Sequence, residues 1–239
     1  MTVYTLSADE IAARLSGDPE RRAAFLRELA EDGVAEAQAL YAQLLLDGDG
    51  VARDEQAAVG WFRRAAQQGH VMAVNMLGRC HDLGWGVRVD KARAAEYYEI
   101  AAGQGLDWAM YNFATLLALG EGVAEDRPRA LALLRQAADL TGNAKAINFI
   151  GSFHEDGWVV MRDMGEAARL YALAAEGGDF RGMFNHARML LTAGDVGAAS
   201  EWIARCGRAA NPAFRTKAAA WLRAQGQDTL AASLAIASH

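Results

Sequence analysis

Apolar and polar positions along this 239-residue chain alternate with helical spacing, and the spacing falls into blocks that repeat. From residue 34 onwards each block reads as two short amphipathic segments, with apolar residues three and four apart and a glycine-bearing break between the segments. The breaks are Asp47-Gly48-Asp49-Gly50-Val51, Leu83-Gly84-Trp85-Gly86-Val87, Leu119-Gly120-Glu121-Gly122-Val123 and Asp156-Gly157-Trp158-Val159-Val160, and their first glycines lie 36, 36 and 37 residues apart. Six residues after each stands Asp54, Asp90, Asp126 or Asp163, and four further on Ala58, Ala94, Ala130 or Ala167. A large residue follows seven after the aspartate, at Trp61, Tyr97, Leu133 and Leu170. The register closes on Ala65, Ala101, Ala137 and Ala174, with Gly69, Gly105, Thr141 and Gly178 four beyond.

This pattern predicts a helix pair per block. The first glycine ends one helix, where a left-handed residue costs least without a Cβ. The aspartate caps the next by accepting unpaired backbone N–H groups, and Pro128 fits the first turn after Asp126. The alanines mark close helix approach, with the aromatic or leucine filling the gap beside them. Asp18, Phe25 and Gly33, each 36 residues before its counterpart in the next block, form a partial earlier copy. Ser7-Ala8-Asp9-Glu10 reads as a capping box that opens an initial helix, and Asp18-Pro19 opens its partner. Ala187, Gly194, Ala199, Trp202 and Gly207 make a fifth pair without the glycine loop. Asn211-Pro212 starts a helix through Trp221, and Leu230, Leu234 and Ile236 mark a last one. The expected organisation is one continuous stack: N-terminal helices with a partial repeat over 1–33, four repeats over 34–178, a fifth pair over 179–210 and capping helices over 211–239.

The unit Ala73-Val74-Asn75-Met76-Leu77-Gly78, then Gly84-Trp85-Gly86-Val87, Asp90, Ala94, Tyr97 and Ala101-Ala102-Gly103-Gln104-Gly105 resembles the Sel1-like repeat family, a relative of the tetratricopeptide repeats. The likeness covers roughly residues 18–207. It departs from the pattern at Val159, where a second glycine is expected, and in the fifth pair, where the loop is missing. The resemblance implies an all-α, right-handed α/α superhelix whose first helices line a concave face. It also implies an adaptor in bacterial signalling, secretion or protein quality control.

Composition supports helices, since alanine is abundant and proline occurs three times. A net charge of −6 argues against a nucleic-acid partner, which usually needs a net basic face. The charge is uneven, because residues 179–239 hold seven Lys/Arg against four Asp/Glu. No basic-then-apolar leader opens the chain and no stretch reads as a membrane span, so no membrane insertion is expected. Cys80 and Cys206 lie far apart in sequence, which fits a reducing cytoplasm unless a leader precedes the sequence.

Candidate chemistry is sparse. The chain has no H-E-x-x-H, no P-loop, no G-x-S-x-G and no C-x-x-C, and no serine is followed by lysine three positions on. Asp47-Gly48-Asp49-Gly50 lacks the ligands of a calcium loop. His81 and His154 share a repeat position held elsewhere by Leu45, Leu117 and Leu190, which makes them packing residues rather than metal ligands. No catalytic residue, metal or cofactor is expected.

The resemblance implies a recognition surface on the first helices. Counted from the small residues Ala42, Gly78, Ala114, Gly151 and Ala187, the positions three before and one after give Asn75 and Arg79, Tyr111 and Thr115, Asn148 and Ser152, Phe184 and Arg188. Six before stand Trp108, Lys145 and Arg181. Trp85 and Trp158, at the loop tips, read either as binding anchors or as covers for the adjacent helices. The expected function is a non-catalytic scaffold that holds a protein or peptide partner, itself a monomer or weak homo-oligomer. A toxin-masking immunity protein is a special case of that duty. Alternatives are a hydrolase or β-lactam-binding protein of the same repeat family, and a solenoid that self-assembles through Trp221, Leu230, Leu234 and Ile236.

Overall fold

The computed structural model describes residues 7–236, and among these the chain is helix and turn throughout, with fourteen helices and no strand. The contacts divide it into two compact units, Met1–Glu125 and Asp126–His239. The first holds α1 (Ala8–Leu15), α2 (Pro19–Glu31), α3 (Ala35–Asp47), α4 (Glu55–Gln67), α5 (Val71–Leu83), α6 (Lys91–Gly103) and α7 (Asp107–Leu119). The second holds α8 (Arg127–Thr141), α9 (Ala144–Asp156), α10 (Met164–Glu176), α11 (Phe180–Thr192), α12 (Val196–Ala209), α13 (Pro212–Ala224) and α14 (Asp228–Ile236). Within each unit consecutive helices pack as hairpins, and each hairpin leans on the next.

The repeating residues act where their chemistry places them. Gly48, Gly84, Gly120 and Gly157 are left-handed C-caps with φ between 67° and 80°. The side chains of Asp54, Asp90, Asp126 and Asp163 accept from the backbone N–H three residues on, at Ala57, Arg93, Arg129 and Glu166. The Ser7–Glu10 capping box is closed in both directions. Three of the cap aspartates also donate their own N–H back to the preceding helix, at Leu45, His81 and His154, which sets the loop's span. In the third block the second helix runs on through Thr141 to a left-handed Gly142, and this absorbs the one extra residue of the 37-residue spacing.

One expectation shifts by a residue. The fully buried plug of each second helix is Phe62, Tyr98, Leu134 or Tyr171, eight residues after the aspartate rather than seven. Those residues lie one turn from the alanines on either side, on the same stripe: Ala58-Phe62-Ala65, and so on through Ala167-Tyr171-Ala174. The residue before is turned to the flank of the core, where Trp61 and Tyr97 are partly covered.

In the second unit α13 and α14 close the end of the core. Leu222, Leu230 and Leu234 are buried there, and Trp221 is half-buried with its ring 5.6 Å from Phe184. The Ile236 side chain lies outside the described residues. Leu230 and Leu234, read from sequence as either cap or self-assembly contact, are thus covered by the chain's own core. No described helix is long and apolar enough to cross a membrane.

Candidate functional site

Two kinds of contact join neighbouring hairpins, and between them they determine which side chains are left to meet a partner. The first is the glycine loop. A Cβ on Gly50, Gly86 or Gly122 would sit 2.0, 2.2 or 2.3 Å from backbone atoms of Pro19, Glu55 or Lys91, the first residue of the second helix one hairpin earlier. The loop backbone therefore lies flat on that helix start. Residues around it complete the clasp: Arg22 donates to Asp49 at 2.6 Å, Glu55 accepts from the Gly86 N–H at 3.0 Å, and Lys91 pairs with Glu121 at 3.0 Å. In the fourth loop Val159 replaces the glycine and keeps the left-handed φ of 51°.

The two loop tryptophans belong to this clasp. Trp85 packs on the core of the first unit with the Arg79 guanidinium 4.8 Å from its ring. Trp158 meets Phe153 edge-on at 5.5 Å and carries Arg127 at 4.2 Å over its face.

The second contact runs between first helices. Asn112 donates to the Asn75 amide oxygen at 3.0 Å, joining α7 to α5; Asn185 donates to Asn148 at 2.8 Å, joining α11 to α9. Asn75 and Asn148 are 3 % and 8 % exposed, so both are committed to this ladder. Phe184, 7 % exposed, is likewise covered, by Phe214 and Trp221. Asn112 and Asn185 were not singled out from sequence, though the spacing of 37 residues in both pairs was there to be read.

The remaining positions divide by unit. In the first, Arg79, Tyr111 and Thr115 are half-buried, and Trp108 is 42 % exposed. Beside Trp108 stand two residues that sequence reading passed over. Met72, at the same register position on α5, is 41 % exposed, and Leu40, one turn along that face on α3, is 40 % exposed. Three successive first helices thus present an apolar side chain on one face. At its α3 end His70 Nδ1 accepts from the Ala73 N–H at 3.1 Å, so Nε2 carries the hydrogen and donates to Glu36 at 2.9 Å.

In the second unit Lys145 and Ser152 are half-buried and Arg181 is exposed, its guanidinium 4.7 Å over Phe180. Arg188 is tied down. It pairs with Glu155, donates to Asn185 at 3.0 Å and lies 5.5 Å over Trp221. Tyr171 joins the same network, donating to Glu155 at 2.6 Å with Ser152 Oγ at 3.2 Å, and burial pushes its phenol well above the usual tyrosine range. The face of the second unit is therefore polar and cationic.

Among the described residues no group of three or more His, Cys, Asp or Glu side chains could hold a metal ion. His81 stacks on Tyr97 at 5.7 Å, and burial lowers its pKa.

Stacked helix hairpins joined by glycine loops and amide ladders define a helical repeat protein of the solenoid class. The Sel1 repeat family model matches residues 35–70, 71–106, 109–141 and 144–179, which together make more than half of the chain. The chain belongs to the Sel1 repeat family. No curated protein matches it. Among solved structures it is similar to a protective antigen of uropathogenic Escherichia coli strains with an SLR fold, at TM-score 0.67 and 24 % identity over 97 % of this chain. The likeness spans 53 % of that antigen, about half its length. A Sel1 repeat protein from Oxalobacter formigenes aligns at TM-score 0.62 and 24 % identity, over 82 % of this chain and 87 % of that one. An immunity protein from Pseudomonas aeruginosa aligns at TM-score 0.57 and 18 % identity, over 77 % and 68 %. At these identities the likeness speaks for the fold.

Proposed function

We propose that this protein is a non-catalytic scaffold that holds a peptide segment or a folded protein against the first-helix face of its N-terminal unit. The observation that supports this is the row Leu40, Met72 and Trp108, each about two-fifths exposed on α3, α5 and α7, the first helices of three successive blocks. Met72 and Trp108 hold the same repeat position and Leu40 lies one turn along on α3, so three successive first helices carry an apolar strip. Such strips on soluble proteins serve recognition more often than chance exposure would. Arg79, Tyr111 and Thr115 border it and supply the polar rim, while the buried Asn75 holds the helix spacing beneath. In the second unit Lys145, Ser152 and Arg181 offer a polar and cationic counterpart for the same duty, while Arg188 is engaged by Glu155. Trp85 and Trp158 support the loops instead of anchoring a partner. The proposed setting is the cytoplasm, where two buried unpaired thiols stay reduced. The solved immunity protein of the same fold makes a toxin domain one partner class to test beside peptide segments.

The test is affinity capture from the native host with wild type and a Met72→Glu/Trp108→Glu variant, with helical content followed by circular dichroism. Both sites are exposed, so helicity should hold. Loss of a wild-type-specific partner from the folded variant supports the reading, and capture of the same partners by both removes it.

A further inference from the structure

From Trp202 to Gln227 the chain carries Arg205, Arg208, Arg215, Lys217 and Arg223 and not one aspartate or glutamate. The run covers the second half of α12, the corner after it and all of α13. Two other cations of this unit meet carboxylates, Arg169 with Glu166 at 2.6 Å and Arg188 with Glu155. Arg205, Arg208, Lys217 and Arg223 are exposed, and none has a carboxylate partner among the described residues. Glu201, one turn before Arg205, stands nearest along the helix and makes no ion pair with it.

Two of the cations are also held in place. The Arg205 guanidinium lies 3.9 Å over the half-buried ring of Trp202, which fixes a side chain that would otherwise be mobile. Arg208 follows one turn later on the same exposed face. Arg215 donates from Nη1 to the Gly207 carbonyl at 3.3 Å, so the first turn of α13 is tied to the last turn of α12 and a third guanidinium sits at the corner. Lys217 flanks it.

The surroundings select among anions. The chain as a whole is −6, a balance that disfavours association with an extended polyanion such as a nucleic acid or an anionic bilayer. A short acidic peptide meets only the corner. No large apolar side chain between residues 202 and 227 is among the exposed ones, so nothing there would enter a membrane. We propose that the α12–α13 corner, through Arg205, Arg208, Arg215 and Lys217, is a docking surface for a short acidic segment of a partner protein. It shares no residue with the apolar row on α3, α5 and α7.

The experiment is fluorescence anisotropy with a labelled octapeptide of alternating aspartate and glutamate, beside its asparagine–glutamine counterpart. An Arg205→Glu/Arg208→Glu/Lys217→Glu variant is compared with wild type, and an Arg205→Gln/Arg208→Gln/Lys217→Gln variant provides a second reading should the first fold poorly. The proposal expects binding of the acidic peptide alone, weakened by salt, and reduced about tenfold or more by either substitution set. The Met72→Glu/Trp108→Glu variant should bind the peptide as wild type does, which keeps the two readings distinguishable. Four results overturn it: no preference for the acidic peptide, binding unmoved in the folded variants, duplex DNA or phosphatidylglycerol vesicles bound as tightly, or low-salt self-association that the peptide does not displace.

Discussion

Tyr171 donates to Glu155 at 2.6 Å across the fourth hairpin, and 73 residues earlier Tyr98 makes the same bond to Asp82 at 3.2 Å. The carboxylate stands two residues before the first loop glycine, and the tyrosine eight after the cap aspartate. In the first and third blocks the same two positions are Leu46 with Phe62 and Ala118 with Leu134. Polar and apolar versions of one contact therefore alternate along the chain, and each keeps its own chemistry. Gly78 and Gly151 accompany the tyrosines, because a Cβ there would lie 2.6 and 2.7 Å from the ring.

Breaking one half of the polar version should cost more than never having it. Tyr171→Phe removes one hydrogen bond and is expected to lower unfolding free energy by about 1 kcal/mol. Glu155→Leu leaves Arg188 without its carboxylate in a site only 23 % exposed and should cost about 2–3 kcal/mol. Urea unfolding of both variants checks the order, and an equal or reversed cost would show that the pair with Arg188 matters less than the phenol.

The fourth loop is open to improvement. Val159 holds a left-handed φ of 51°, which a β-branched residue tolerates poorly. Val159→Gly should stabilise by about 1 kcal/mol after the added chain freedom of glycine is counted. Gly86→Ala is its opposite, since the new methyl would meet Glu55 backbone at 2.2 Å; a loss of about 2 kcal/mol or more is expected. Thermal midpoints of the two variants should move in opposite directions.

Asp179 caps α11 by accepting from the Gly182 N–H at 2.9 Å, but its other oxygen is buried without a partner. Burial raises its pKa above the ordinary 3.8. The native state thus binds the proton more tightly than the unfolded chain, so this carboxyl subtracts stability as pH rises through and beyond the unfolded value. Asn143 fills the equivalent cap of α9 without a charge. Asp179→Asn should therefore stabilise at neutral pH by about 1 kcal/mol, and the gain should vanish below roughly pH 4. A pH series of urea midpoints reads this directly; a gain that persists undiminished in acid would point away from the charge.

The two thiols should be silent in the folded protein. Cys80 and Cys206 are fully buried, and burial pushes their pKa values up to about 11 and about 12. A thiol-specific chromogenic reagent at neutral pH should label neither until denaturant is added, when both react together. Prompt labelling of either in native buffer would contradict the buried placement.

Much of the architecture could be read one residue at a time. A glycine that stops a helix, an aspartate that starts one and alanines that let two approach act through local backbone geometry and short-range sterics, so their spacing in the chain already carries their meaning. That reasoning located the caps at Asp54, Asp90, Asp126 and Asp163. It missed the deepest plugs by one residue, because burial depends on which side of the alanine stripe faces the neighbouring helix.

Which side chains remain for a partner followed a different logic. Asn75, Asn148 and Phe184 sit where repeat counting places recognition residues, yet Asn112, Asn185 and Trp221 engage them from other helices. Leu40 and Met72 stay exposed because no helix among the described residues covers that face. Local pattern sets where helices begin and end; exposure is a property of pairs of residues brought together from distant parts of the chain, and only the packed helices settle it.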